Sequence, residues 1–191
     1  MEKNSRGQKE RELSAEKKTD EIHQGRIITV YQETLYLKDK TVVLDLVKHP
    51  GAVAILPIDS KGNLLFIKQW RRAAEKILIE IPAGTLEEGE HPIDCAAREL
   101  REETGFSAET LIPLGGFYSA PGFCNEYIHL FLAKDLSPNP LWADDSDDID
   151  LFSISLEEAM LLSTKGELLD SKTLAALYLY QLWTANLTKS F

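Results

Sequence analysis

Gly84–Phe106 reads GTLEEGEHPIDCAARELREETGF, and its second half decides how the rest of the chain is read. Pro92 suits the first turn of a helix, where its missing N–H is not needed, and Gly105 suits the left-handed position just past a helix end. The spacing therefore predicts a helix over 92–104. Ile93, Ala96, Ala97 and Leu100 fall on one face at helical spacing, so that face is expected to pack on a sheet and the opposite face to carry charge. Glu99, Glu102 and Glu103 stand three and four residues apart on this helix. Like charges so placed cost roughly a few tenths of a kcal/mol per pair. A divalent cation reverses the sign of that cost, and magnesium needs only a few carboxylates beside water and substrate phosphate oxygens. On spacing alone, a solvated acidic face paired with Arg98 and Arg101 fits equally well.

Upstream lie short β-rich runs at 26–31 (RIITVY), 34–37 (TLYL), 41–47 (TVVLDLV), 51–58 (GAVAILPI) and 63–70 (NLLFIKQW). Lys61-Gly62 reads as a hairpin turn between the last two, and a further strand is expected at 77–81. Downstream, strands are expected at 111–118, 127–133 and 150–154. Ser155 with Glu158 forms a capping box for a helix to about Thr164, and Asp170 caps a last helix to about Asn186. That last helix carries Leu174, Leu177, Tyr178, Leu182 and Trp183, which the core or a dimer contact must cover. Residues 1–24 mix both charge signs with few apolar positions, so they are expected to fray or to dock on a partner surface. With no internal repeat, the elements make a mixed α+β sandwich.

The 191 residues, 43% of them hydrophobic, match one domain with short appendages. A net charge of −10 argues against gripping nucleic acid through its phosphates. No apolar run approaches the roughly 18 residues of a membrane span, and the charged N-terminus is unlike a signal peptide. A soluble, cytoplasmic protein with no membrane or nucleic-acid partner is expected. Cys95 and Cys124 lie in no paired spacing and read as incidental thiols.

Position by position, 84–106 resembles the Nudix box: Gly84, five residues, Glu90, seven residues, Arg98-Glu99, Leu100, one residue, Glu102-Glu103, one residue, Gly105 and the apolar Phe106. The likeness extends from about Gly51 to Asp170. It implies an α+β Nudix fold, an α/β/α sandwich around a mixed central sheet, plus a small N-terminal β-rich segment. On this parsing 1–24 is a polar extension, 25–50 holds N-terminal strands used in dimerisation, and 51–191 is the hydrolase domain. The resemblance also implies that Glu99 and Glu103 hold metal ions, that Glu102 assists, that the Ala83 carbonyl adds a ligand and that Arg98 orients the glutamates. Magnesium is the implied cofactor, with manganese as its substitute. Gly84 is expected to allow close approach of backbone and diphosphate.

Within the family, Ile81-Pro82-Ala83-Gly84 preceded by Gln69-Trp70-Arg71 resembles the ADP-ribose pyrophosphatase branch, as does Pro121, sixteen residues beyond Gly105. Pro121-Gly122 also reads as an ordinary turn. The branch implies hydrolysis of ADP-ribose to AMP and ribose 5-phosphate, with GDP-mannose, UDP-sugars or other nucleoside diphosphate sugars as alternatives. Pro121 and Trp70-Arg71 argue against dinucleoside polyphosphates and oxidised triphosphates, and the intact Glu99, Glu102 and Glu103 argue against a non-catalytic nucleotide sensor. Arg71 is a candidate for a substrate phosphate or for closing the site, because guanidinium pairs bidentately with phosphate oxygens. Glu80 lines the same pocket or merely ends a strand, and Glu126 resembles a family glutamate near the metals.

In the branch the base is commonly a glutamate of a mobile acidic loop, whereas Ala143–Asp148 offers aspartates. Asp147 and Asp145 are the candidates, Glu102 is the alternative, and a plain solvent-exposed loop is the competing reading. Branch dimers exchange N-terminal strands so that an aromatic residue stacks on the base bound to the other subunit. Tyr31 and Tyr36 lie in the right region, although strand tyrosines usually only pack. An arginine that relatives often carry in the next strand is not evident within 41–47, so base specificity stays open.

Overall fold

Glu16–Gln24 (β1), Thr29–Tyr36 (β2) and Thr41–Lys48 (β3) follow a polar helix, Glu2–Ser14 (α1), and pair as an antiparallel sheet in order β1-β2-β3. The structure is a computed structural model that describes residues 2–142 and 149–187. Its chain divides into two units, one running to Pro50 and including Ala120–Glu126, the other made of Gly51–Ser119 with the chain from Tyr127 on. In the first unit the polar stretch at 16–24 finds its partner surface in β2, with Glu16 opposite Tyr36 and Gln24 opposite Thr29. Charge complementarity replaces burial there: Lys17 and Thr19 both reach Glu33, at 3.1 and 3.2 Å. The two short strands expected at 26–31 and 34–37 are instead one continuous β2. Its polar middle is tolerated because Gln32 donates to Asp45 across the sheet. Residues 120–126 lie along the end of β3, where Val47 N–H donates to Phe123 and Asn125 N–H donates back to Val47.

The second unit is built on Ala52–Pro57 (β4), which is buried along its whole length. It pairs antiparallel with Ala83–Thr85 (β7) and parallel with Tyr127–Pro138 (β9), and β9 pairs antiparallel with Phe106–Tyr118 (β8). The result is a mixed four-stranded sheet, β7-β4-β9-β8. Leu64–Arg71 (β5) and Lys76–Glu80 (β6) form a second sheet with Asp150–Ile154 (β10). A run such as β4, apolar on both faces, needs a layer on each side. Val53 and Ile55 meet Cys95, Ala96 and Leu100 of Pro92–Thr104 (α2). Ala52, Ala54 and Leu56 meet Leu64 and Phe66 of β5, Ala159 of Leu156–Thr164 (α3) and Leu177 of Ser171–Leu187 (α4). This is the expected α/β/α arrangement.

Local signals behave as their chemistry requires. Gly105 adopts φ 74° and returns its N–H to Arg101, ending α2. Asp59 accepts from the backbone N–H groups of Lys61 and Asn63, closing the β4–β5 turn at Gly62. Both halves of the Ser155–Glu158 capping box are present at the start of α3. Strands β8 and β9 are longer than expected, because pairing continues from Phe106–Pro138 at one end to Tyr118–Tyr127 at the other. On α4, Leu177 is buried while Leu174, Tyr178 and Leu182 stay exposed. Among the described residues, no helix is long and apolar enough to cross a membrane.

The packed face of α2 is the expected one in part: Ala96 and Leu100 are buried as the spacing predicts, but the face is turned away from Ile93 and Ala97. Its buried residues are Cys95, Ala96, Glu99, Leu100 and Thr104, whereas Ile93 and Ala97 are exposed. The helix is rotated so that the charged side is turned inward against β7. Leu100→Ala should therefore cost about 2–5 kcal/mol of unfolding free energy, while Ile93→Ala should cost less than about 1 kcal/mol. Urea denaturation of both variants checks this ordering.

Candidate active site

Arg98 organises the inward face of α2. Its Nε and Nη2 donate to Glu90 at 2.9 and 3.0 Å, and its Nη1 donates to Glu99 at 2.6 Å and to Glu102 at 3.0 Å. Three carboxylates thus converge on one guanidinium, whose planar fork suits such sharing. The Arg98 bonds hold Glu90 down to about 2, far below the usual carboxylate range, while Glu90 raises Arg98. One positive charge against three negative ones leaves an excess of two negative charges at this face.

Glu99 is nearly buried, and its carboxylate occupies the space where a side chain on β7 would sit. A Cβ on Gly84 would lie 1.8 Å from Glu99 Cδ and within 2.3 Å of both its oxygens. With the Glu99 carboxylate in this place, only glycine fits at position 84. The space that the sequence suggested for an approaching diphosphate is filled by this carboxylate. Next to it, Ala83 N–H donates to Glu103 Oε2 at 2.9 Å, so Ala83 and Gly84 each hold one glutamate of α2. Burial pushes the Glu103 carboxyl up to about 8, with Glu99 adding to the rise and the Ala83 bond, Arg71 and Lys172 opposing it.

A second cluster lies at the end of β6. Glu80, 1% exposed, accepts from Arg71 Nε at 2.8 Å and Nη2 at 2.7 Å, and also from Lys172 Nζ. Burial works against the Glu80 carboxylate, yet these two cations outweigh it and hold its pKa below the ordinary value. Lys172 lies 3.1 Å from Asp170, which caps α4 by accepting from Thr173 N–H at 3.0 Å. The Thr173 hydroxyl in turn accepts from Ile81 N–H at 2.9 Å.

Of the residues singled out from sequence, the structure brings together Ala83, Gly84, Arg98, Glu99, Glu102 and Glu103, with Arg71 and Glu80 near enough for Arg71 to act on Glu103. Tyr31, Tyr36, Pro121, Gly122 and Glu126 belong to the other unit. There Tyr36 is half exposed, Pro121 and Gly122 occupy a turn closed by Phe123 and Cys124 N–H groups on Ala120, and Glu126 lies 3.7 Å from His49 Nε2. Asp145 and Asp147 lie outside the described residues. Sequence reading missed Lys172 and Thr173, whose partners Glu80 and Ile81 are about ninety residues away, and the pairing of Glu90 with Arg98. Cys95 is buried under α2 with its thiol pushed up by that burial, which makes it unreactive.

A NUDIX domain matches residues 48–177, well over half of the chain. The chain belongs to the Nudix family. An ADP-ribose pyrophosphatase of Bacillus subtilis is 39% identical over 175 residues, covering 88% of this chain and 95% of its own. A methanol dehydrogenase activator of Bacillus methanolicus is also 39% identical, over 171 residues that cover 88% and 92%. The crystal structure of an ADP compounds hydrolase superposes with a TM-score of 0.79 at 24% identity, covering 88% and 92%, and so shares the fold.

Nudix hydrolases use divalent metal ions, and the donor set of this Nudix chain fits one. Among the described residues, no three acidic, histidine or cysteine side chains enclose an ion by themselves. A hard cation such as magnesium does not require that, since it keeps waters and substrate oxygens in its shell. Arg98 offsets one of the three carboxylate charges it gathers, so the face keeps an excess of negative charge that a divalent cation would offset. Glu99, Glu103, Glu102 and the Ala83 carbonyl are the groups that could hold it.

Two outcomes follow from this geometry. Gly84→Ala should displace Glu99 and lower kcat by about 100-fold or more, the scale for losing a group that stabilises transition-state charge, with little change in circular dichroism. The folded-state pKa of Glu103, about 8, exceeds its ordinary 4.5, so the folded state binds the extra proton and its stability falls as pH rises from about 5 to 8. Thermal unfolding in EDTA across that window should show the decline in wild type and a shallower one in Glu103→Gln.

Proposed function

We propose that this chain hydrolyses the diphosphate of a nucleoside diphosphate sugar, with ADP-ribose as preferred substrate, releasing AMP and ribose 5-phosphate. The observation that carries the reading is the set of α2 glutamates gathered on Arg98 and fitted against the Ala83-Gly84 backbone. Similarity to an ADP-ribose pyrophosphatase over 95% of that protein supports the substrate. Magnesium, or manganese in its place, would be held by Glu99, Glu103, Glu102 and the Ala83 carbonyl, and it supplies charge neutralisation and an acidified water.

The chain's own groups do the rest. Arg98 holds Glu99 and Glu102 in place, so little reorganisation accompanies binding. Arg71 offers a phosphate oxygen the guanidinium edge that Glu80 leaves open. A carboxylate takes the proton from water, and the candidates are Glu102, Asp147 and Asp145. From the resemblance alone, Tyr31 and Tyr36 are the candidates for stacking on the base, Pro121 and Gly122 are candidate substrate contacts, and Glu126 is the candidate glutamate near the metal. We also read the protein as a cytoplasmic homodimer with exchanged N-terminal strands, a reading supported by the exposed Ile22, Tyr36 and Val43 of the β1–β3 sheet.

Turnover of ADP-ribose, GDP-mannose, UDP-glucose, NADH and a nucleoside triphosphate, each with magnesium and with EDTA, tests the reading. Metal-dependent preference for ADP-ribose is expected, and Glu103→Gln should lower kcat by about 100-fold or more while retaining the fold. Preference for the triphosphate would overturn the substrate, and undiminished Glu103→Gln activity would overturn the metal assignment.

A further inference from the structure

The buried carboxylate of Glu80 serves two cations at once, and one of them stands on a helix outside the Nudix box. Arg71 arrives from β5 and Lys172 from the first turn of α4. An Arg–Glu pair with two parallel bonds is already neutral, so a second cation on the same carboxylate needs its own reason. Asp170 supplies the balance: two cations, Arg71 and Lys172, face two carboxylates, Glu80 and Asp170. Lys172 is 12% exposed, whereas Arg71 is 40% exposed and its Nη1 has no hydrogen-bond partner among the described residues. The cluster is therefore closed on the lysine side and open on the arginine side.

The consequence for Arg71 is electrostatic. With Glu80 to itself, its charge would be cancelled and its pull on an anion weakened. With Glu80 shared, the guanidinium keeps its orientation through two hydrogen bonds while part of the carboxylate's charge is spent on Lys172. Lys172 is itself fixed, because Asp170 caps α4 and Thr173 binds Ile81 N–H one residue beyond Glu80. The clasp thus joins the α4 N-terminus to the strand that leads into Ala83-Gly84.

We propose that Lys172 is a positioning residue for diphosphate binding, which shares Glu80 with Arg71 so that the open edge of Arg71 is aimed and available for a phosphate oxygen. The proposal rests on the reading of Arg71 as a phosphate contact.

The test uses the full chain with Lys172→Met, Lys172→Arg and Arg71→Ala. The readouts are steady-state kinetics on the sugar nucleotide that wild type prefers and the Kd for ADP in EDTA, where nothing is turned over. Lys172→Met should raise KM and the ADP Kd by about tenfold with kcat within about threefold, the pattern of lost uniform binding. Lys172→Arg, which keeps the charge, should recover most of the loss. In an Arg71→Ala background, Lys172→Met should change the ADP Kd by less than about twofold, because the two residues act through one contact. If Lys172→Met does not fold, Lys172→Gln keeps a hydrogen-bond donor without the charge and is read the same way. Unchanged KM and Kd, a loss confined to kcat, failure of Lys172→Arg to recover, or full additivity with Arg71→Ala would each overturn the proposal. If wild type hydrolyses no sugar nucleotide, the proposed function fails, and the ADP Kd series still decides the role of Lys172.

Discussion

The carboxylate of Glu99 lies where Gly84 has no side chain, and the rest of the site depends on that contact. It requires α2 to be rotated so that Glu99 points toward the sheet, which in turn exposes Ile93 and Ala97. Burying an acidic group in this way is costly unless it is paired. Arg98 provides the pairing, and because the same guanidinium reaches Glu90 and Glu102 it collects a charge excess that one cation cannot balance. The fold thus holds together groups that repel one another, which is the condition under which a divalent ion gains most by binding.

The segment from Glu80 to Leu86 is held residue by residue. Arg71 and Lys172 fix Glu80, Thr173 holds Ile81 N–H, and Pro82 accepts from Ile55 N–H at 2.8 Å. Ala83 N–H is taken by Glu103, Gly84 meets Glu99, and Leu86 N–H donates to Gly51. Contacts come from α2 on one side and from α4 on the other. A segment held at so many of its residues keeps its place, and pre-aimed dipoles need no reorganisation when charge develops.

Much of this was legible where the signal is local. The bounds of α2 follow from Pro92 and Gly105, the start of α3 from Ser155 and Glu158, and the β4–β5 turn from Lys61-Gly62. The box spacing pointed to Glu99 and Glu102, which the structure gathers on Arg98, and to Glu103, which it holds on Ala83 N–H. What was not legible is non-local. Periodicity placed Ile93 and Ala97 on the packed face because it cannot weigh a buried carboxylate paired to arginine against an exposed isoleucine. The polar sequence of β1 reads as unstructured until β2 supplies its pairing partner. The role of Lys172 has no local signal, since nothing in its neighbourhood announces Glu80 some ninety residues earlier.

On the proposed reading, the Gly84 cradle and the α2 glutamates form one divalent-cation site. Titration of manganese into the metal-stripped protein, followed by electron paramagnetic resonance of the free ion, tests it most directly. Saturable binding is expected in wild type, weakening by about tenfold or more in Glu103→Gln, the scale of removing one charged ligand group, and in Gly84→Ala. Equal affinity in all three proteins would contradict it.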